Sequence, residues 1–122
     1  MRVYDTGLSK GKRIQDFGSS GARISTLVSA KAWHIAMLQL EPNGVLGAHK
    51  VATDQLLIVV QGSARVVGDD EQAVDIIPGS AAFWNRNEAH KTRAGAKGLI
   101  AVIVEGDKLA QALAMSIRRV TG

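Results

Sequence analysis

The sequence predicts an all-β chain, a sandwich or barrel, with one short α-helix at its C-terminal end. Three observations carry this. Short β-prone segments recur between residues 22 and 105, turn-forming residues separate them at regular spacing, and only residues 107–122 change period. A chain of 122 residues is expected to form one domain with a core of its own.

Residues 1–21 are rich in Gly, Ser and Lys and have no clear period, so they read as an irregular N-terminal arm with Ile14 and Phe17 as anchors. Residues 22–29 form the first expected strand and residues 32–40 the second. In the second, Trp33, Ile35, Met37 and Gln39 alternate with His34, Ala36, Leu38 and Leu40, which places the two sets on opposite faces. Glu41-Pro42-Asn43-Gly44 predicts a turn, because proline presets φ and asparagine or glycine accepts a left-handed position.

Residues 55–61 are almost continuously apolar, as in a strand covered on both faces. Gly62 is expected to end that strand, with residues 64–67 pairing back. The polar turn Gly68-Asp69-Asp70-Glu71 leads to residues 73–77, and Ile77-Pro78-Gly79-Ser80 fits a type II turn. Residues 82–84, 90–93 and 98–105 complete the strands, so the β domain spans 22–106. After Asp107 as N-cap, Leu109, Leu113, Ile117 and Val120 recur at spacings of four and three, predicting an amphipathic helix over 107–122 packed on the same domain.

Composition removes several function classes. With no cysteine, disulfides, thiolate metal sites and cysteine nucleophiles are excluded together, and any site must use nitrogen and oxygen donors. The longest apolar runs, 56–60 and 99–104, are far too short to span a membrane as a helix. The first residues carry no apolar leader segment, so a cytoplasmic location is expected. The net charge of +4 comes from scattered basic residues with no aromatic residues interleaved, which argues against a nucleic-acid partner. Lys50, Arg86, Lys91 and Arg93 flank His49 and His90, pointing to a small anionic ligand. Neither a Gly-x-Ser-x-Gly elbow nor a phosphate-cradling Gly-rich loop is present.

One ordered constellation remains. His49-x-Val51-x-x-x-Gln55 is followed by Gly62, then by Pro78-Gly79, then by Asn85-Arg86-Asn87-Glu88-Ala89-His90. Residues two or four apart on a strand share a face, so a ligand near His49 could share a pocket with side chains of the next strand. Convergence of His49 with His90 requires the sheet to close.

In order and spacing this constellation resembles the cupin superfamily, in its small single-domain form. That family's first motif is a glycine, then His-x-His, a glutamate three or four residues on, and a glycine six residues beyond. Its second motif brings a further histidine after a Pro-Gly turn. The resemblance runs from residue 28 to residue 105 and is strongest over 44–62 and 75–90. Gly44 stands one residue closer to His49 than is usual.

The resemblance implies a double-stranded β-helix, or jelly-roll barrel, with a ligand pocket at His49, Val51, Gln55 and His90. Val51 stands where the second histidine belongs and cannot bind a metal; Gln55 stands where the glutamate belongs and offers a neutral oxygen. The implied metal set is therefore reduced to His49, Gln55 and His90, for one divalent iron, manganese, nickel or zinc ion. His49 and His90 are the candidates for acid–base catalysis. Asp54 has the wrong strand parity to replace Gln55, and the sequence places neither Glu88 nor His34 in the pocket. His34 reads as a structural residue, and Trp33, Phe83 and Trp84 as core or interface.

Two functions stay open: a barrel that binds a small, anionic metabolite, and a metal-dependent enzyme of dioxygenase, isomerase or decarboxylase type. The resemblance also implies a homodimer built by sheet extension, with residues 1–4 and the arm crossing to the partner.

Overall fold

A computed structural model describes residues 1–50 and 52–117. Val51 and residues 118–122 lie outside the described residues, and with them one expected pocket position and the end of the expected helix. Seven strands form one antiparallel sheet: β1 (Lys12–Ile14), β2 (Ser20–Ser29), β3 (Trp33–Lys50), β4 (Asp54–Val67), β5 (Ala73–Ile76), β6 (Ala81–Trp84) and β7 (Ala89–Gly106). Their order is β1-β2-β3-β7-β4-β5, and β6 also pairs with β4. Among the described residues no helix is long and apolar enough to cross a membrane.

β3, β4 and β7 are each longer than the segments expected from sequence, because the predicted turns become bulges inside continuous strands. Glu41-Pro42-Asn43-Gly44 does not reverse the chain. The β3–β7 ladder runs to Leu40 opposite Leu99 and resumes at Val45 opposite Arg93. Pro42, which has no N–H to give, falls in the unpaired stretch, and Asn43 takes a positive φ of 60° there.

Gly62 likewise does not end its strand. Residues 64–67 continue β4, pairing with β5 and with the first half of β7 rather than folding back on residues 55–61. Gly62 has φ 83°, and a Cβ there would fall onto the Gly98 carbonyl oxygen, so the close approach of β4 to β7 at this bend requires glycine. Leu40, Leu99 and Gly62 share one ladder row. All three long strands therefore bend along one line.

Bending along that line lets the two halves of the sheet pack inner face to inner face. Leu38, Leu40, Leu57, Val59, Ala101 and Ile103 from one half join Leu46, Ala64, Val66, Ile76 and Ala94 from the other in a single buried cluster. The alternation expected along residues 32–40 holds: Ala36, Leu38 and Leu40 are buried.

Both ends of the chain differ from expectation. Within the arm, residues 12–14 form β1 against β2, and Ile14 packs on the core while Phe17 is exposed. At the other end, the helix expected from Asp107 is a single 3-10 turn, Leu109–Ala112. Lys108, not Asp107, stands at its cap in a left-handed conformation. The Ala110 N–H donates to Asp54 Oδ2 at 3.0 Å, and Leu109 is buried, so the turn is held by the sheet rather than by helix capping. Leu113 is extended. Leu113, Met115, Ser116 and Ile117 then line one hollow, in a segment that is not helical where a helical period was read.

Candidate functional site

The site is assembled by alternation on β7 and β4. Along β7, His90, Thr92 and Ala94 are buried while Lys91 and Arg93 are exposed. Strand geometry therefore turns those two cations to the opposite face of the sheet from His90. Lys50 and Arg86 are exposed as well. The four basic residues that suggested an anionic ligand surround His90 in sequence but do not converge on it.

Antiparallel pairing alone brings the two motif histidines together, for His49 is the ladder partner of His90. Gln55 reaches the same region from β4. It is 3% exposed and is the ladder partner of Trp84 on one side and Glu105 on the other. The Trp84 ring stacks on His90 with centroids 4.4 Å apart and planes 22° from parallel. His90 Nδ1 also lies 3.4 Å from the Glu88 carbonyl oxygen. Trp84 thus links Gln55, its ladder partner, to His90, on which its ring stacks.

Two residues that sequence reasoning did not select complete the polar interior. Gln55 Nε2 donates to Glu105 Oε1 at 2.6 Å. Thr92 is fully buried. Gln55 Oε1 and Thr92 Oγ1 are buried without a hydrogen-bond partner among the described residues. Buried polar atoms in that state are uncommon in folded proteins and point to a ligand or ordered water. Strand parity was the available signal: Glu105 shares a face with Ala101 and Ile103, and Thr92 with His90. His34 stands in the same ladder row as Glu105, with Nε2 3.4 Å from Thr26 Oγ1.

The largest described open space also borders Trp84. A cavity of about 1020 Å³ is bounded by Ile58 and Val66 of β4, Val74 of β5, and Phe83 and Trp84 of β6. The C-terminal residues Leu113, Met115 and Ile117 also border it, Met115 and Ile117 with exposed side chains. Asp70 and Glu88 also border it, and no lysine or arginine among the described residues does. Gln55 and His90 are not in its wall, but Leu56 and Trp84, the chain neighbour and ladder partner of Gln55, are.

Of the described side chains, those at the motif positions fit poorly the divalent metal that the motif implies. Gln55 offers a neutral amide oxygen, and its Nε2 is already engaged by Glu105. Among the described residues no group of three His, Cys, Asp or Glu side chains is placed to hold an ion. A set of this kind lacks the anionic ligand that draws a divalent cation out of water.

No protein-family model and no curated protein matches the chain. Solved structures match it well. The polyketide cyclase RemF from Streptomyces resistomycificus superposes with a TM-score of 0.75 at 20% identity, covering 87% of this chain and 79% of its own. An RmlC-like cupin from Shewanella frigidimarina gives 0.68 at 16% identity, covering 86% and 91%. KdgF from a Halomonas species gives 0.66 at 17% identity, covering 76% and 86%. The chain therefore has the fold of the cupin superfamily. Identities this low speak for the fold alone.

Proposed function

We propose that this chain is a small-molecule-binding cupin whose ligand is a largely apolar molecule, held in the cavity beside Trp84. The observation that carries the reading is the position of Trp84. Its ring stacks on His90, a motif residue, and Trp84 also walls a cavity of about 1020 Å³. A space of that size lined mainly by aliphatic and aromatic side chains suits a drug-sized apolar body. An anionic metabolite is disfavoured, because Asp70 and Glu88 border the cavity and no lysine or arginine among the described residues does.

Isothermal titration with a donor-free apolar probe, naphthyl methyl ether, tests the reading. Saturable binding is expected, and Ala81→Trp, which fills the cavity from β6, should abolish it while circular dichroism stays unchanged. Elemental analysis of the untagged protein is the second arm. Stoichiometric iron, manganese, nickel or zinc that is lost on His90→Ala would overturn the reading in favour of a metal-dependent enzyme.

A further inference from the structure

The outer face of the bent sheet changes character at the bend. Residues opposite one another in a ladder share a face, so the rows outside the core can be read across the strands. On one side of the bend such a row is Val45, Arg93, Arg65 and Asp75, from β3, β7, β4 and β5, and it carries three charges. That is the polar row an antiparallel sheet turns to water. On the other side the rows are Ile35, Val104, Leu56 and Phe83, then Met37, Val102, Ile58 and Ala81. Neither holds a polar or charged residue. Their strand neighbours Ala36, Leu38, Leu57, Ala101 and Ile103 are buried in the core, so these eight residues face outward. Ile35, Met37, Val102, Val104 and Ile58 stay part-exposed. Val28, the ladder partner of Ile35, is 45% exposed. Trp33 is 41% exposed, and a Cβ on Gly106 would stand 3.0 Å from its ring, so glycine in β7 lets the indole lie across the end of the face.

We propose that this apolar outer face, centred on Ile35 and Met37 of β3 and Val102 and Val104 of β7, packs against the same face of a second copy of the chain. Size supports that occupant. From Val28 of β2 to Ile58 of β4 the face is about 19 Å wide, and from Trp33 to Gln39 it is about 24 Å long, at ordinary strand spacing and rise. The flat projection is about 450 Å², which side-chain relief raises toward the roughly 600 Å² per partner at which specific dimers begin. Charge supports it too. The chain carries a net +4, yet these rows hold no charge, so two copies meet here without setting like charges opposite each other. The contact is not the sheet extension that the family resemblance implies. The strands at the two ends of the order are short and carry exposed charges, Lys12 and Arg13 on β1 and Asp75 on β5, which discourages pairing at an edge. Leu56 and Ile58 also border the cavity, so the centre of the contact lies on β3 and β7, away from it.

Sedimentation equilibrium on the full chain is the test. The unmodified protein is expected at the mass of two chains at micromolar concentration. Val102→Lys sets an ammonium in the middle of the contact and should weaken association about a hundredfold, with circular dichroism unchanged. Trp33→Ala, at the end of the face, should weaken it about tenfold. Lys91→Glu, on the exposed face of the charged half, should leave the dimer intact.

A second measurement needs no substitution. In a mixture of ¹³C-methionine-labelled and unlabelled protein, the Met37 methyl group should show nuclear Overhauser contacts to protons of the unlabelled copy, and this decides the matter if Val102→Lys does not fold. A monomer at every concentration overturns the inference. So does a dimer that survives Val102→Lys and shows no such contact at Met37, for it is built on another surface. A monomer that floats with phosphatidylcholine vesicles also overturns it and gives the face to a lipid surface.

Discussion

The two sides of Trp84 differ in what sequence motifs say about them. Beside it in the sheet lie Gln55, its ladder partner, His90, on which its ring stacks, and the ladder position of His49 opposite His90, all within the motif order. Trp84 also borders an open apolar cavity whose wall includes the C-terminal segment, which no motif marks. Residues at motif positions also serve the fold. Gly62 is held by the bend between β4 and β7, and His90 by its stack on Trp84. The open space, by contrast, follows from where β5, β6 and the chain end fall.

The largest effect should come from removing the partition. Trp84→Ala deletes a side chain that is 3% exposed and unstacks His90, so a loss of about 3–5 kcal/mol is expected in urea denaturation. Phe83→Ala, on the cavity wall and only partly buried, should cost about 1–2 kcal/mol. If the two variants unfold at the same urea concentration, Trp84 is not the divider between a packed side and an open one.

Which parts of this contrast were legible in the sequence depends on how local their causes are. Alternation along residues 32–40 placed Ala36, Leu38 and Leu40 inside, because strand parity is a local property. The residues that break the ladder were legible as glycine, proline and asparagine, but a bulge and a turn use the same residue types. Only the partner strand decides between them, and β7 continues past both Asn43 and Gly62. The C-terminal segment misled for a related reason. Leu109, Leu113 and Ile117 fit a helical period, but the sheet holds Ala110 on Asp54 and the described residues beyond Ala112 are not helical. At the site, His90 and Gln55 were found because a motif names them. Glu105 stands fifty residues from Gln55 and meets it only through the β4–β7 register.

The next comparison sets the two ends of the Gln55–Glu105 hydrogen bond against each other. Exposure alone suggests that the buried residue matters more. Satisfaction of polar atoms predicts the opposite. Gln55→Leu removes an oxygen that already lacks a partner and leaves Glu105, which is partly exposed, able to turn to water. Glu105→Leu instead leaves the buried amide with neither edge satisfied. Glu105→Leu should therefore cost about 1–3 kcal/mol and Gln55→Leu about 1 kcal/mol or less, read from paired urea melts of the ligand-free protein. The reverse order would mean that the amide is not held as the 2.6 Å contact implies.

The smallest effect belongs to a polar pair on the solvent face of the same sheet. Arg65 Nε and Nη2 donate to the two carboxylate oxygens of Asp75 at 2.9 and 3.2 Å, across the β4–β5 ladder, with both side chains exposed. The hydrogen bonds from Arg65, and then its charge, hold the Asp75 carboxyl below the ordinary carboxylate range. A carboxyl lowered on folding contributes stability that is present above its unfolded value and is lost as pH falls through its folded value. Arg65→Ala should thus destabilise slightly at neutral pH, and the difference from the unmodified protein should vanish in acid below the carboxylate range. Because water and salt screen an exposed pair, moderate salt should shrink even the neutral-pH difference. Glu105, paired through a neutral amide inside the fold, should keep its larger effect in the same salt. If salt weakens both pairs alike, the inner one is reached by solvent as freely as the outer.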